Sequence, residues 1–131
     1  MKRKLPALIV TLALSASTLP AANIAWVSFH SADNTPSGAA TTAGFTKAPD
    51  VGYTALLAAN GHTVTRFVRV NDIQVQPDLL TALGTNDLII ISRSVPSGDF
   101  QQLDEATAWN GITNQVMILG GFVTRGGTVG G

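Results

Sequence analysis

The chain contains no cysteine. That excludes disulfides, thiolate metal sites and thiol nucleophiles. Charge is also scarce. Only 12% of the 131 residues are Asp, Glu, Lys or Arg, and the two signs balance. No basic patch is available to follow a nucleic-acid backbone or an anionic membrane. The two histidines, His30 and His62, fall at opposite ends of different predicted strands, so a paired-histidine metal site is not expected. No apolar run reaches the roughly 20 residues that span a bilayer. There is no internal repeat.

The N-terminus carries a different signal. Met1-Lys2-Arg3-Lys4 is basic, residues 5–14 are mostly apolar, and small residues follow to Ala22. A basic start, a short apolar core and a small-residue exit form a secretory signal. Residues 1–22 are therefore read as a signal peptide. Export to the medium, the periplasm or the cell surface is expected, with no membrane association after cleavage. The remainder keeps Lys47, Arg66, Arg69, Arg93 and Arg125 against eight acids, so it is mildly acidic. Residues 23–125 are read as one α/β domain and residues 126–131 as a Gly-rich tail.

Three apolar runs dominate that domain. Residues 24–29, Ile-Ala-Trp-Val-Ser-Phe, lead into His30-Ser31-Ala32-Asp33. Residues 88–91, Leu-Ile-Ile-Ile, lead into Ser92-Arg93-Ser94. Residues 116–119, Val-Met-Ile-Leu, lead into Gly120-Gly121. Runs without polar alternation belong to strands buried on both faces, which implies parallel strands covered by helices. Strands are predicted at about 23–29, 62–70, 87–92 and 115–123. The second mixes Thr63, Thr65, Arg66 and Arg69 with apolar residues and reads as an edge strand protected by charge. Helices are predicted from Asp50 to the Asn60-Gly61 stop, over about 77–83, and over about 99–110 with an Asp99/Gln102 capping box. The first of these has an apolar stripe of Val51, Tyr53, Leu56 and Leu57. The polar stretch 30–47 reads as a long loop. Right-handed crossovers then give a three-layer α/β sandwich with a mostly parallel sheet in the order 2-1-3-4. Ile24, Val27, Leu88, Ile90, Ile118 and Leu119 are the expected core. The fourth strand is too apolar for an edge, so the fold reads as incomplete at its C-terminus, with self-association through that strand expected.

The run Leu56-Leu57-Ala58-Ala59-Asn60-Gly61-His62-Thr63-Val64, with Asp87-Leu88-Ile89-Ile90-Ile91-Ser92, resembles the first helix, second strand and third strand of flavodoxin-like domains. The class I glutamine amidotransferase-like superfamily and its trehalose-utilisation (ThuA-like) branch are among them. The likeness extends over about residues 23–123 and implies a fold. In amidotransferases a nucleophilic Cys sits between glycines after the fourth strand. Here that region reads Leu119-Gly120-Gly121-Phe122-Val123-Thr124, so the resemblance carries over no nucleophile.

In open parallel sheets ligands bind beyond the carboxyl ends of the strands, where the connections diverge. The candidate ligand residues are therefore His30, Ser31, Asp33, Arg93, Ser94, Gly120 and Gly121. His30 with Asp33 can form an oriented base. Arg93 can hold a carboxylate or phosphate through its planar fork. Gly120 and Gly121 either admit a ligand close to the backbone or relieve packing at a strand end. Residues 31–37 faintly resemble a flavodoxin phosphate loop. Such a loop must run directly into a helix, and here Pro36 and more loop intervene, so no cofactor is expected. Trp26 reads as core. The functional expectation is a non-catalytic exported module that binds a small molecule or a carbohydrate, or serves a larger surface protein. The alternative is an amidotransferase-like or hydrolase-like enzyme completed by residues beyond Gly131. N-terminal sequencing of exported protein should find a mature start between about Thr18 and Asn23. Material retaining Met1 in a membrane fraction would refute the signal.

Overall fold

The computed structural model describes residues 20–68, 70, 73, 76–101 and 104–121. Residues 1–19, within the expected signal peptide, Arg69 of the expected second strand, Gln102 and Leu103 of the expected third helix, residues 122–123 of the expected fourth strand and the Gly-rich tail lie outside the described residues. The elements follow in the order β1 (Asn23–Ser28), α1 (Gly38–Thr42), α2 (Val51–Ala59), β2 (Thr63–Val68), α3 (Pro77–Gly84), β3 (Leu88–Ile91), a 3₁₀ turn (Ser97–Phe100), α4 (Glu105–Asn110) and β4 (Gln115–Ile118). The four strands form one sheet in the order β2-β1-β3-β4, and all three pairings are parallel. This is the α/β architecture and strand order expected from the apolar runs.

The central strands are the two with unbroken apolar character. Residues 24–28 of β1 and 89–91 of β3 are all buried. Side chains alternate across a sheet, so the fold has two cores. Ala25, Val27, Ile89 and Ile91 face one side, packed with Val70, Ile73, Leu83, Val95 and half-buried Leu79, Leu80, Phe100 and Trp109. The helix faces of α3 and α4 supply that layer. Ile24, Trp26 and Ile90 face the other side with Leu57 of α2, Val64, Leu88 and Leu119.

The helix ends have local causes. Pro77 occupies the first turn of α3, where its missing N–H costs nothing. After α2, Gly61 adopts φ +87°. Its N–H donates to Ala58 O and that of His62 to Leu57 O, the paired C-terminal bonds that close a helix on glycine.

The structure departs from expectation in four places. The stretch 30–47 is not all loop: Ser37 caps α1 by accepting from Ala40 N. The helix expected from Asp99 is split, because residues 97–100 form a 3₁₀ turn and α4 begins only at Glu105. The α2 stripe is shifted. Thr54 is buried, while Tyr53 and Leu56 are exposed, because a polar cluster, not oil, lies beneath this end of the helix. Ile118 is not core. Val116, Met117 and Ile118 are 40%, 49% and 41% exposed, since β4 is an outer strand on which little packs.

Ile90 is buried against Ile24 and Trp26 at the middle of the sheet. Ile90→Ala is expected to cost about 2–5 kcal/mol, the lost transfer energy plus the cavity. Denaturant unfolding measures it, and a loss near zero would contradict this packing.

Candidate functional site

The site is built on the carboxyl ends of β1 and β3, which are neighbours with their crossovers leaving in opposite directions. Ser28 ends β1 and Ser92 follows β3, and both are buried. Between them and the start of α2 lies Asp50. Sequence reasoning made it a helix-start residue, yet its side chain caps nothing. Its Oδ2 instead accepts from Trp26 Nε1 at 2.9 Å, Ser28 Oγ at 2.7 Å and Ser92 Oγ at 3.1 Å. Its Oδ1 accepts from Arg66 Nη2 at 2.9 Å.

Arg66 looked like a solvent-facing guard on an edge strand. Register places it beside Trp26, on the inward face under α2. Its side chain is 9% exposed, Asp50's is 8%, and Asp33's, the second acid on the guanidinium, is 51%. Arg66 donates through Nε and Nη2 to Asp33 Oδ1 at 2.9 and 2.6 Å. Thr54 Oγ1 donates to the same oxygen at 2.8 Å. The missed signal was alternation: Val64, Arg66 and Val68 share a face, and an arginine on an inward face needs an acid.

Burial alone would raise the Asp50 carboxyl. The donors from Arg66, Trp26 and Ser28, with the Arg66 charge, outweigh it and hold the group at about 2, below its ordinary 3.8. Burial would likewise lower Arg66, but its bonds to Asp50 and Asp33 raise it instead. Both groups are charged at neutral pH. Asp50 is saturated with donors and strongly acidic, so it is a structural anion and no proton acceptor.

Above this network opens a crevice of about 800 Å³, lined by His30, Ser92, Arg93, Ser94 and Asp50, with Phe29, Phe45, Tyr53 and Leu119 among its apolar walls. Phe45 and Tyr53 are large exposed apolar residues, and Tyr53 stacks on Trp26 with ring centroids 5.9 Å apart. His30 is buried, and its Nδ1 accepts from Ser37 N at 3.1 Å. An accepting Nδ1 puts the proton of the neutral ring on Nε2. No protein acceptor for that proton occurs among the described residues. Arg93 is exposed and has no acidic partner among the described residues.

The structure thus brings His30, Arg93 and Ser94 to one crevice. Ser31 and Asp33 line a separate cavity of about 340 Å³ with Thr54 and Arg66. Gly120 lies against the Arg93 backbone, where a Cβ would come within 3.6 Å of its Cα. Gly121 is exposed and does not line the crevice. The His30/Asp33 base is not formed, because Asp33 is held by Arg66 and Thr54 while the Ser37 amide takes His30 Nδ1. The loop after β1 does run into a helix, contrary to expectation. However, α1 has five residues, and Ser37 and Ala40 N–H groups are already spent on His30 and Ser37. Among the described residues no group of three His, Asp or Glu can hold a metal ion, and no helix is long and apolar enough to cross a membrane.

No protein-family model, curated protein or solved structure matches the chain.

Removing Asp50 leaves the Arg66 charge buried beside three unpaired donors. Asp50→Ala is expected to cost about 3–5 kcal/mol, whereas Asp33→Ala, at a half-exposed pair, should cost about 0–1 kcal/mol. The pH dependence has a definite sign. The folded carboxyl lies below its ordinary value, so its contribution is complete above 3.8 and is lost as the pH falls from 3.8 through about 2. That contribution is roughly 2 kcal/mol. Denaturant unfolding across this window, with Asp50→Asn alongside, checks it; an unchanged acid slope in the variant would refute the assignment.

Proposed function

We propose that the chain is an exported, non-catalytic binding module whose crevice takes a small organic anion. One observation carries the reading: an Arg93 without an acidic partner and a His30 Nε2–H without an acceptor line the same crevice. Both are donors, and both await an acceptor from outside the protein. A guanidinium fork matches a carboxylate or phosphate in two parallel bonds. The exposed rings of Phe45 and Tyr53 offer an apolar surface for the rest of the ligand. The position beyond the carboxyl ends of two central strands is where open α/β sheets bind ligands.

The enzymatic alternative lacks its parts among the described residues. Among the described residues no serine hydroxyl is hydrogen-bonded to a histidine ring, Asp33 does not orient His30, and Asp50 is committed to four donor groups. The export half of the reading rests on residues 1–22. The ThuA-like resemblance rests on residues 56–64 and 87–92 and supports the sheet architecture, with no activity attached.

The test is calorimetric titration of the mature protein with phenylacetate and phenyl phosphate. At least one is expected to bind. Arg93→Ala should weaken that binding by about tenfold or more, as loss of a charged hydrogen bond does. The melting temperature should be unchanged, because Arg93 is exposed and unpaired. Binding of neither probe, or equal affinity in the variant, would overturn the proposal.

A further inference from the structure

The serines under the crevice have a fixed hydrogen-bond direction. Asp50 is ionised and can only accept. Ser28 and Ser92 therefore give it their hydroxyl hydrogens, at 2.7 and 3.1 Å. Each of these two oxygens can then only accept, and each already takes a backbone N–H: His30 N to Ser28 Oγ at 3.0 Å, Ser94 N to Ser92 Oγ at 3.2 Å. Ser94 Oγ lies 3.2 Å from Ser28 Oγ and 3.0 Å from Ser92 Oγ. With both neighbours' hydrogens spent on Asp50, the hydrogen in these contacts must come from Ser94. Turning it outward would leave three hydroxyl oxygens in contact with no hydrogen among them. Ser94 Oγ also accepts from Phe29 N at 3.1 Å. One hydrogen is committed inward and one lone pair is used. What Ser94 has left for the crevice is its other lone pair, an acceptor.

Among the polar groups lining the crevice, Arg93 and His30 Nε2–H are donors and Ser94 Oγ is an acceptor of fixed sense. We infer that its ligands are hydroxy carboxylates, the carboxylate on Arg93 and a ligand hydroxyl donating to Ser94. This deepens the anion-binding reading and rests on it. Asp50 and the serines below Ser94 act as positioning residues, transmitting the sense of a buried negative charge to the surface of the site.

Mandelate and phenylacetate isolate the inference, because they differ by one hydroxyl beside the carboxylate. Titrated into the mature protein, mandelate is expected to bind about fivefold or more tightly than phenylacetate. In Ser94→Ala that ratio should fall to about one, with thermal melting of the variant confirming that it is folded. Equal wild-type affinities would overturn the hydroxyl inference and leave the anion site standing. So would a Ser94→Ala variant that keeps the mandelate preference or loses both ligands alike. Binding of phenyl phosphate alone would overturn it in the same way. Binding of none of the three would overturn the anion site and this inference together.

Discussion

The structure turns on the carboxylate of Asp50. It joins four segments that are distant in sequence: the end of β1 through Trp26 and Ser28, β2 through Arg66, the residue after β3 through Ser92, and the start of α2, where it resides. An isolated carboxylate in this position would cost several kcal/mol to desolvate. Donors on both oxygens, one of them a guanidinium, make it tolerable. The dependence is mutual. Arg66 is as deeply buried as Asp50 and has no other buried acid among the described residues. Without Arg66 the Asp50 carboxylate would lose its counter-charge, without Asp50 the guanidinium would keep only half-exposed Asp33, and the strand ends they connect carry the site.

The same ion pair divides two cavities. Asp50 lines the crevice on one side, and Arg66 lines the smaller cavity with Ser31 and Asp33 on the other. The two loops that leave β1 and β3 are consequently not equivalent. The β3 loop delivers Arg93 and Ser94 to the crevice. The β1 loop delivers His30, turns away at Asp33, where Thr35 N closes a turn on Ala32 O at 3.1 Å, and returns to the crevice with Ser37 and Phe45. This asymmetry gathers His30, Arg93 and Ser94 at the crevice, in place of the acid-base pair the loop sequence invites.

The edges of the sheet differ in a related way. β2 exposes Thr63, Thr65 and Val68, and its one charge turns inward to Asp50. β4 exposes Val116, Met117 and Ile118, and apolar surface left in water forfeits about 25 cal/mol per Å². Arg66, which sequence reasoning assigned to protecting an edge, serves the interior instead. Neither edge, as described, carries the charged guard residues that commonly discourage pairing.

The sheet was legible in the amino-acid sequence because its determinants are local. The apolar runs at 24–27 and 88–91 mark strands buried on both faces, Asn60-Gly61 marks a helix stop, and right-handed crossovers leave few strand orders to choose from. These residues carry their information in their type and spacing. The site was only partly legible. His30, Arg93 and Ser94 could be placed at the crevice because strand ends in this architecture converge there. Asp50 and Arg66 could not be paired, because a polar residue at a helix start and one on an edge strand each have a sufficient local explanation. Their true partners lie 16 residues apart in the chain, across two elements. Which nitrogen of His30 bears the proton, where Asp33 is bound, and which way the Ser94 hydrogen points are all decided by hydrogen bonds between segments. Such bonds have one donor and one acceptor each, so their sense depends on every neighbour at once, and only the tertiary structure brings those neighbours together.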